Sequence, residues 1–216
     1  MSKNTLTKLI EKHQSCVTDE TRNYIGASII GSDCMRQIWY QFKGEQSEGV
    51  PAKFRRSWAI GTTLEGLIVS WLTEAGVQVE RSDKTYYADN MPYFQGHFDG
   101  IYTYKKTHGI LEIKTAKHSS FTIFVNKGLK AWNPQYYAQI QSYMGMSGID
   151  NAIILVLNKD NSELSDELVL FDAEFYEKLT QKAAMIFGAK TMPPRIHGSA
   201  LYFKCKMCKY NKVCHK

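Results

Sequence analysis

The sequence predicts an α/β fold, a mixed β-sheet flanked by helices. Two patterns carry that expectation. Ile110 to Leu157 reads as strand, helix, strand, which is a βαβ unit with a parallel strand pair. The stretch before it reads as an antiparallel hairpin, so the sheet is expected to be mixed. The 216 residues suffice for one domain over 1–216 with a substantial core.

Taken in order, Leu6-Thr7-Lys8-Leu9-Ile10 is amphipathic and predicts a short helix. Ser28 to Phe42 follows, with Ser32 or Asp33 as the expected helix cap. Phe54 to Ala75 places Trp58, Leu64, Leu67, Ile68, Trp71 and Leu72 at helical spacing. Gly61 and Gly66 weaken that helix or mark close packing, and Gly76 ends it. Val77-Gln78-Val79-Glu80 alternates as a strand does. Gln95–Tyr104 and Gly109–Thr115 read as two strands around the loop Lys105 to His108. Asn133 as N-cap and Pro134 at the first position open a helix to Met146. Asn151 to Leu157 is a continuous apolar strand of the kind buried in a sheet interior. Asp172 caps a helix to about Phe187, and a Cys/Lys-rich tail follows Pro193-Pro194.

The bulk numbers are those of an ordinary globular protein, with 44% hydrophobic and 22% charged residues. The longest clean apolar run, Ala152 to Leu157, is far short of the roughly 20 residues that cross a bilayer. Met1 to Thr5 lacks an apolar leader, so no membrane partner and a cytoplasmic location are expected. A net charge of +6 suits a polyanionic partner without requiring one. Five cysteines in such a chain point to metal or redox chemistry rather than a disulfide framework.

With a four-residue loop, Asp99 faces Lys114 across the hairpin and Glu112 lies one step diagonally from Asp99. All three then project from one face, while Leu111 and Ile113 point into the core. Two carboxylates on one face repel unless a cation lies between them. Mg²⁺ or Mn²⁺ suits such oxygen ligands, can polarise a phosphoryl oxygen and can lower the pKa of a bound water. Lys114 would stand beside that water to orient or deprotonate it, or to neutralise transition-state charge. Gly96 and Gly100, around His97-Phe98-Asp99, are expected to leave backbone room for a close-approaching ligand. His97 shares the Asp99 face and either reaches a bound ligand or serves structure, whereas His108 is expected to be solvated.

Gly96-His97-Phe98-Asp99-Gly100 followed by Leu111-Glu112-Ile113-Lys114-Thr115 resembles the PD-(D/E)XK nuclease superfamily, in particular its RecB-type exonuclease branch. Gly61-Thr62-Thr63-Leu64-Glu65 stands where that branch often has Gly-x-x-x-His, and Gln139-Ile140-Gln141-Ser142-Tyr143 matches its Gln-x-x-x-Tyr motif. The resemblance covers Cys34 to the C-terminus and implies a restriction-endonuclease-like fold. It implies Asp99 and Glu112 as metal ligands with the Ile113 carbonyl as a third, and Lys114 as the catalytic lysine. Gln139 and Tyr143, four apart on one helix face, would hold the DNA strand or the lysine. Glu65 departs from the usual histidine. As a glutamate it is a hard-metal ligand in its own right, and it removes the argument from histidine for Mn²⁺.

The tail has the pattern Cys205-x₂-Cys208-x₅-Cys214. Three thiolates on one centre leave a fourth ligand to come from elsewhere, and Cys34 is the candidate. Asp33-Cys34-Met35-Arg36-Gln37-Ile38-Trp39-Tyr40 is similar to the entry segment of iron–sulfur members of the branch, which include the AddB nuclease domain and CRISPR-associated adaptation nucleases. The resemblance implies a structural [4Fe–4S] cluster joining about 24–53 to 195–216 and restricting the unfolded chain. The alternatives are Zn²⁺, with Cys34 or His215 as fourth ligand, and a tail that binds no metal. Lys204, Lys206, Lys209, Lys212 and Lys216 offset the thiolate charge. Cys16 is left as a plain thiol.

The function expected is that of a metal-dependent DNA exonuclease of phage or mobile-element recombination, acting on a linear duplex end or a single strand. Trp39, Trp58, Tyr136 and Tyr137 are candidates to stack on bases or to pack in the core. A homo-oligomer or recombination partner proteins fit the same reading. The alternatives are a CRISPR spacer-adaptation nuclease and a non-catalytic nucleic-acid-binding module. Intact Asp99, Glu112 and Lys114 speak against the last.

Overall fold

The structure is a computed structural model and describes residues 4–17 and 22–216. Residues 1–3, part of the stretch expected to lack a leader, lie outside the described residues. The chain opens with α1 (Thr5–Ser15), β1 (Ile25–Gly26), α2 (Ala27–Ile30), α3 (Met35–Phe42) and the long α4 (Ala52–Glu74). The β-rich middle comprises β2 (Gln78–Arg81), β3 (Tyr86–Ala88), β4 (Met91–Gly96), β5 (Gly100–Tyr104) and β6 (Thr107–Ala116). Then come α5 (His118–Trp132), α6 (Pro134–Ser147), β7 (Asn151–Asn158), β8 (Leu164–Leu170), α7 (Ala173–Gly188), α8 (Phe203–Lys206) and α9 (Asn211–Cys214).

The main sheet has five strands in the order β2-β5-β6-β7-β8, with β6 and β7 parallel and the other pairs antiparallel. The expected βαβ unit is therefore present, and the sheet is mixed. One face packs Ile110, Ala152, Ile154 and Val156 against Phe121, Phe124 and Leu129 of α5 and Ile140 and Met144 of α6. The other packs Leu111, Ile113 and Leu157 against Ile68 of α4. Coverage on both faces explains the continuous apolar run of β7. Each of the buried Ile, Leu, Val, Met and Phe side chains contributes about 1.5–3 kcal/mol of burial. A small sheet, β1-β4-β3, joins α2, α3 and α7 around Ile25, Phe94 and Ile186. Among the described residues no helix is long and apolar enough to cross a membrane.

Asn133 caps α6 as expected, its side chain accepting from the backbone N–H groups of Gln135 and Tyr136, and Gly148 ends the helix in the left-handed region at φ 75°. Asp172 likewise caps α7 by accepting from Phe175 N–H. Three readings need correction. The N-cap of α3 is Cys34, not Ser32 or Asp33; Ser32 instead accepts from the Cys34 N–H at 3.3 Å and donates to Gln37 at 2.9 Å. The strand read as Gln95–Tyr104 breaks at His97-Phe98-Asp99, so β4 and β5 belong to different sheets. The hairpin loop is Lys105-Lys106, with Tyr104 opposite Thr107 and Gly100 opposite Leu111. Lys105 adopts φ 55° without being glycine. The register moves by two residues from the expected one, so no side chain changes face. Gly61 has open space around it, and Gly66 has only an Arg81 nitrogen at 4.0 Å, so neither marks close packing.

The N- and C-terminal parts meet. Arg36 donates to Pro193 O at 2.6 Å, Lys182 donates to Ile30 O and Ser32 O at 2.7 and 2.6 Å, Lys204 pairs with Asp33, and the Tyr40 and Tyr210 rings pack at 5.3 Å.

Candidate active site

β6 alternates as a strand between two covered faces must. Leu111 and Ile113 turn toward α4, while Glu112 and Lys114 turn toward α6. Pairing with β5 ends at Gly100 and Leu111. Beyond that point the Ile113 N–H has lost its ladder partner, and Asp99 Oδ2 accepts from it at 2.7 Å. The chain break at His97–Asp99 thus lets a side chain replace a backbone acceptor and fixes a carboxylate beside Glu112.

Glu112 is only 2% exposed, and its Oε1 contacts the Lys114 ammonium. Its Oε2 is buried with no hydrogen-bond partner. Burial pushes the Glu112 carboxyl up; Lys114 opposes this and Asp99 adds to it, leaving the pKa at about 7. Burial works against the charged Lys114, but Glu112 and Asp99 outweigh it and hold the ammonium above the ordinary lysine range. From α4, Glu65 comes within electrostatic reach: burial raises its pKa, Asp99 raises it further, and Lys114 and Arg81 lower it. On α6, Gln139 donates to the Tyr143 hydroxyl at 2.5 Å. Burial, with Glu112 next in weight, keeps that hydroxyl well above its usual pKa and therefore protonated. The structure thus brings together Glu65, Asp99, Glu112, Lys114, Gln139 and Tyr143.

The glycines beside Asp99 act differently from expectation. A Cβ on Gly96 would lie 2.7 Å from Ala27 Cβ and 2.8 Å from the Tyr143 ring, and one on Gly100 would lie 2.8 Å from Glu80 O. The room they leave is filled by the protein itself: Gly96 admits Tyr143 and Gly100 admits the β2 backbone. One neighbour, Arg81, escaped the sequence reading; the other, Tyr136, entered it only as a candidate to stack on bases or pack in the core. Arg81 pairs in register with Gly100 and acts on Glu65. Tyr136 lies under Lys114, with the ammonium 5.2 Å from its ring centre. The signal for Tyr136 was its helical spacing from Gln139 and Tyr143. His97 and His108 are both exposed. Of the proposed stacking residues Trp58 is 58% exposed, while Tyr137 packs on Phe175 and Trp39 on Tyr40.

Among the described residues no three His, Cys, Asp or Glu side chains are gathered tightly enough to hold a metal ion in this arrangement. The donor chemistry nonetheless fits one. A buried carboxylate oxygen without a partner is costly, and a hard cation satisfies it. A second place is similar in kind: Cys34, Cys205, Cys208, Cys214 and His215 line one cavity of about 470 Å³. Burial raises the Cys205 and Cys208 thiols, and the other cysteines add to that shift. Arg36 points a guanidinium nitrogen at Cys214 Sγ at 3.9 Å, and His215 Nε2 is buried without a partner. Thiol sulfur and imidazole nitrogen are the donor types a soft metal takes, but these side chains line the cavity without being gathered around one point.

Residues 19–150, more than half of the chain, match the YqaJ-like viral recombinase domain. The chain belongs to that family. The YqaJ-like span holds Cys34, Glu65, Asp99, Glu112, Lys114, Gln139 and Tyr143, and ends before β7 and the three tail cysteines. Among curated proteins none matches. Among solved structures, the alkaline exonuclease LHK-Exo from Laribacter hongkongensis is 16% identical with a TM-score of 0.59, over 83% of this chain and 90% of that one. Its complex with dAMP gives 16% and 0.60 over the same shares. SSO0001 is 19% identical with a TM-score of 0.59, over 97% of this chain and 93% of that one. At these identities the likeness is one of fold, and the YqaJ-like chain has the restriction-endonuclease-like α/β fold that the sequence predicts.

Proposed function

We propose that this YqaJ-like chain is a metal-dependent DNA exonuclease of viral-type recombination, acting at a linear duplex end or on a single strand. The observation that carries the reading is the buried Glu112, with one oxygen on Lys114 and the other unsatisfied, beside Asp99. Membership of the viral recombinase family supports the setting, and the solved LHK-Exo is an exonuclease of the same fold.

Asp99, Glu112, the Ile113 carbonyl and Glu65 are the residues to hold Mg²⁺ or Mn²⁺, which supplies Lewis-acid polarisation of the phosphoryl oxygen and an activated water. Asp99 keeps its orientation through the Ile113 N–H. Lys114, in contact with Glu112, serves to orient or deprotonate the attacking water or to neutralise charge developing on the phosphoryl group. Tyr143 stays a hydroxyl donor and, with Gln139, orients the strand or the carboxylates around Glu112.

The cavity of Cys34, Cys205, Cys208 and Cys214 is the place for a structural [4Fe–4S] cluster that ties α3 to the tail. The orphaned His215 Nε2 favours a second reading, Zn²⁺ with a histidine ligand.

Protein purified without oxygen is expected to degrade linear DNA with Mg²⁺ or Mn²⁺ and to leave covalently closed circles intact. Cutting of closed circles at the same rate would remove the exonuclease assignment. A brown iron spectrum distinguishes the cluster from colourless protein carrying one zinc.

A further inference from the structure

Tyr136, Gln139 and Tyr143 follow at i, i+3 and i+7 on α6 and so form one stripe of the helix. Tyr143 lies within electrostatic reach of Glu112, and Gln139 donates to the Tyr143 hydroxyl. Tyr136 places its ring under the Lys114 ammonium, 5.2 Å from the ring centre. Lys114 has a long, freely rotating stem, and a lysine pinned only by Glu112 is drawn onto that carboxylate. A π-face attracts an ammonium without neutralising it. The ring is itself supported: Trp132 packs edge-on against it at 5.5 Å, and the Asn133 cap, accepting from the Tyr136 backbone N–H at 3.2 Å, fixes the turn of α6 that carries it. Trp132 in turn donates to Ser120 Oγ at 2.7 Å and packs on Phe124 in the core. The support runs from the sheet core to one ammonium group.

We infer that Tyr136 is the positioning residue for Lys114: its ring, rather than stacking on a DNA base, holds the ammonium at the place where phosphoryl charge develops. This rests on the nuclease reading above, with Lys114 as its cation.

The test compares Tyr136→Leu, Tyr136→Phe and Lys114→Ala on linear DNA, with ¹³C-labelled lysine spectra of the metal-free protein. The expected result is a loss of about tenfold in kcat for Tyr136→Leu with KM within twofold, the factor of an ammonium–ring contact of roughly 1.4 kcal/mol. Tyr136→Phe keeps the ring and should keep at least half of the rate. The Lys114 ε-methylene signal should be shifted upfield by the ring in the wild type and in Tyr136→Phe, and return to the free-lysine position in Tyr136→Leu. A raised KM with unchanged kcat would assign Tyr136 to base stacking and overturn the inference. So would an unshifted lysine signal, which needs no activity and which a misfolded variant cannot mimic in the wild type. If Lys114→Ala cuts as fast as wild type, the nuclease site itself is wrong. If Lys114→Ala is dead and Tyr136→Leu is normal, only the role of Tyr136 falls.

Discussion

The Asp99 carboxylate accepts a hydrogen bond from the Ile113 N–H at 2.7 Å, at the point where β5 ceases to pair with β6. The same side chain thus completes the sheet and presents an anionic oxygen to the site. Asp99→Ala and Asp99→Asn both relieve repulsion with Glu65 and Glu112, so the difference between them isolates the hydrogen bond. The alanine variant is expected to be the less stable by about 1–3 kcal/mol, the cost of an unsatisfied buried donor, in thermal or urea unfolding. Both should lose the rise in melting temperature that Mn²⁺ gives the wild type.

Glu112 makes metal-free stability depend on pH. Its folded pKa of about 7 lies above the ordinary carboxyl value of 4.5, so the folded chain binds more protons than the unfolded chain between those limits. Stability therefore falls as pH rises from 4.5 to 7. Lys114 does not titrate in that window, since its pKa lies above the lysine value. Denaturant unfolding of the metal-free protein from pH 5 to 7.5 should show this slope, and Glu112→Gln should reduce it, the raised Glu65 carboxyl leaving a smaller slope of the same sign. Mn²⁺, which favours the ionised carboxylate, should stabilise the protein more at pH 7.5 than at pH 5.

Gly96 is needed because the Tyr143 ring would lie 2.8 Å from a Cβ there. Gly96→Ala is expected to cost about 1–3 kcal/mol through overpacking and to lower activity with Asp99, Glu112 and Lys114 all present. Wild-type melting temperature and wild-type rate in that variant would count against the contact.

The tail cysteines predict a separable effect. Cys34→Ser and Cys208→Ser should lose bound metal at the thiol site and lower the melting temperature, whereas Lys114→Ala should retain that metal. Metal content by elemental analysis and thermal melts check both.

Much of this architecture was legible because local and tertiary signals agree. Asn133-Pro134 opens α6 and Asp172 caps α7 where the sequence places them, and the apolar run of β7 reflects burial on both faces. The shared face of Asp99, Glu112 and Lys114 survived a wrong loop length because the register error was two residues, the strand period. What escaped depends on contacts distant in sequence. At the break over His97–Asp99, the Asp99 side chain replaces a ladder acceptor fourteen residues along the chain. The close approach at Gly96 comes from a ring on α6. Lys105 takes a left-handed turn position without the glycine that would have announced it. β8 is hard to read although the turn cluster Asn158 to Ser162 precedes it, because its Leu164, Leu168 and Leu170 occupy the exposed positions and Ser165 and Glu167 the inward ones, the reverse of the usual apolar-in pattern.

The most direct measurement is the rate at which end-labelled linear DNA is degraded with Mg²⁺ or Mn²⁺ by the wild type, Asp99→Ala and Lys114→Ala. The site described here predicts metal-dependent degradation by the wild type and a loss of at least about a hundredfold in each variant, the scale on which removal of one electrostatic stabiliser acts. Degradation by both variants at the wild-type rate would contradict it.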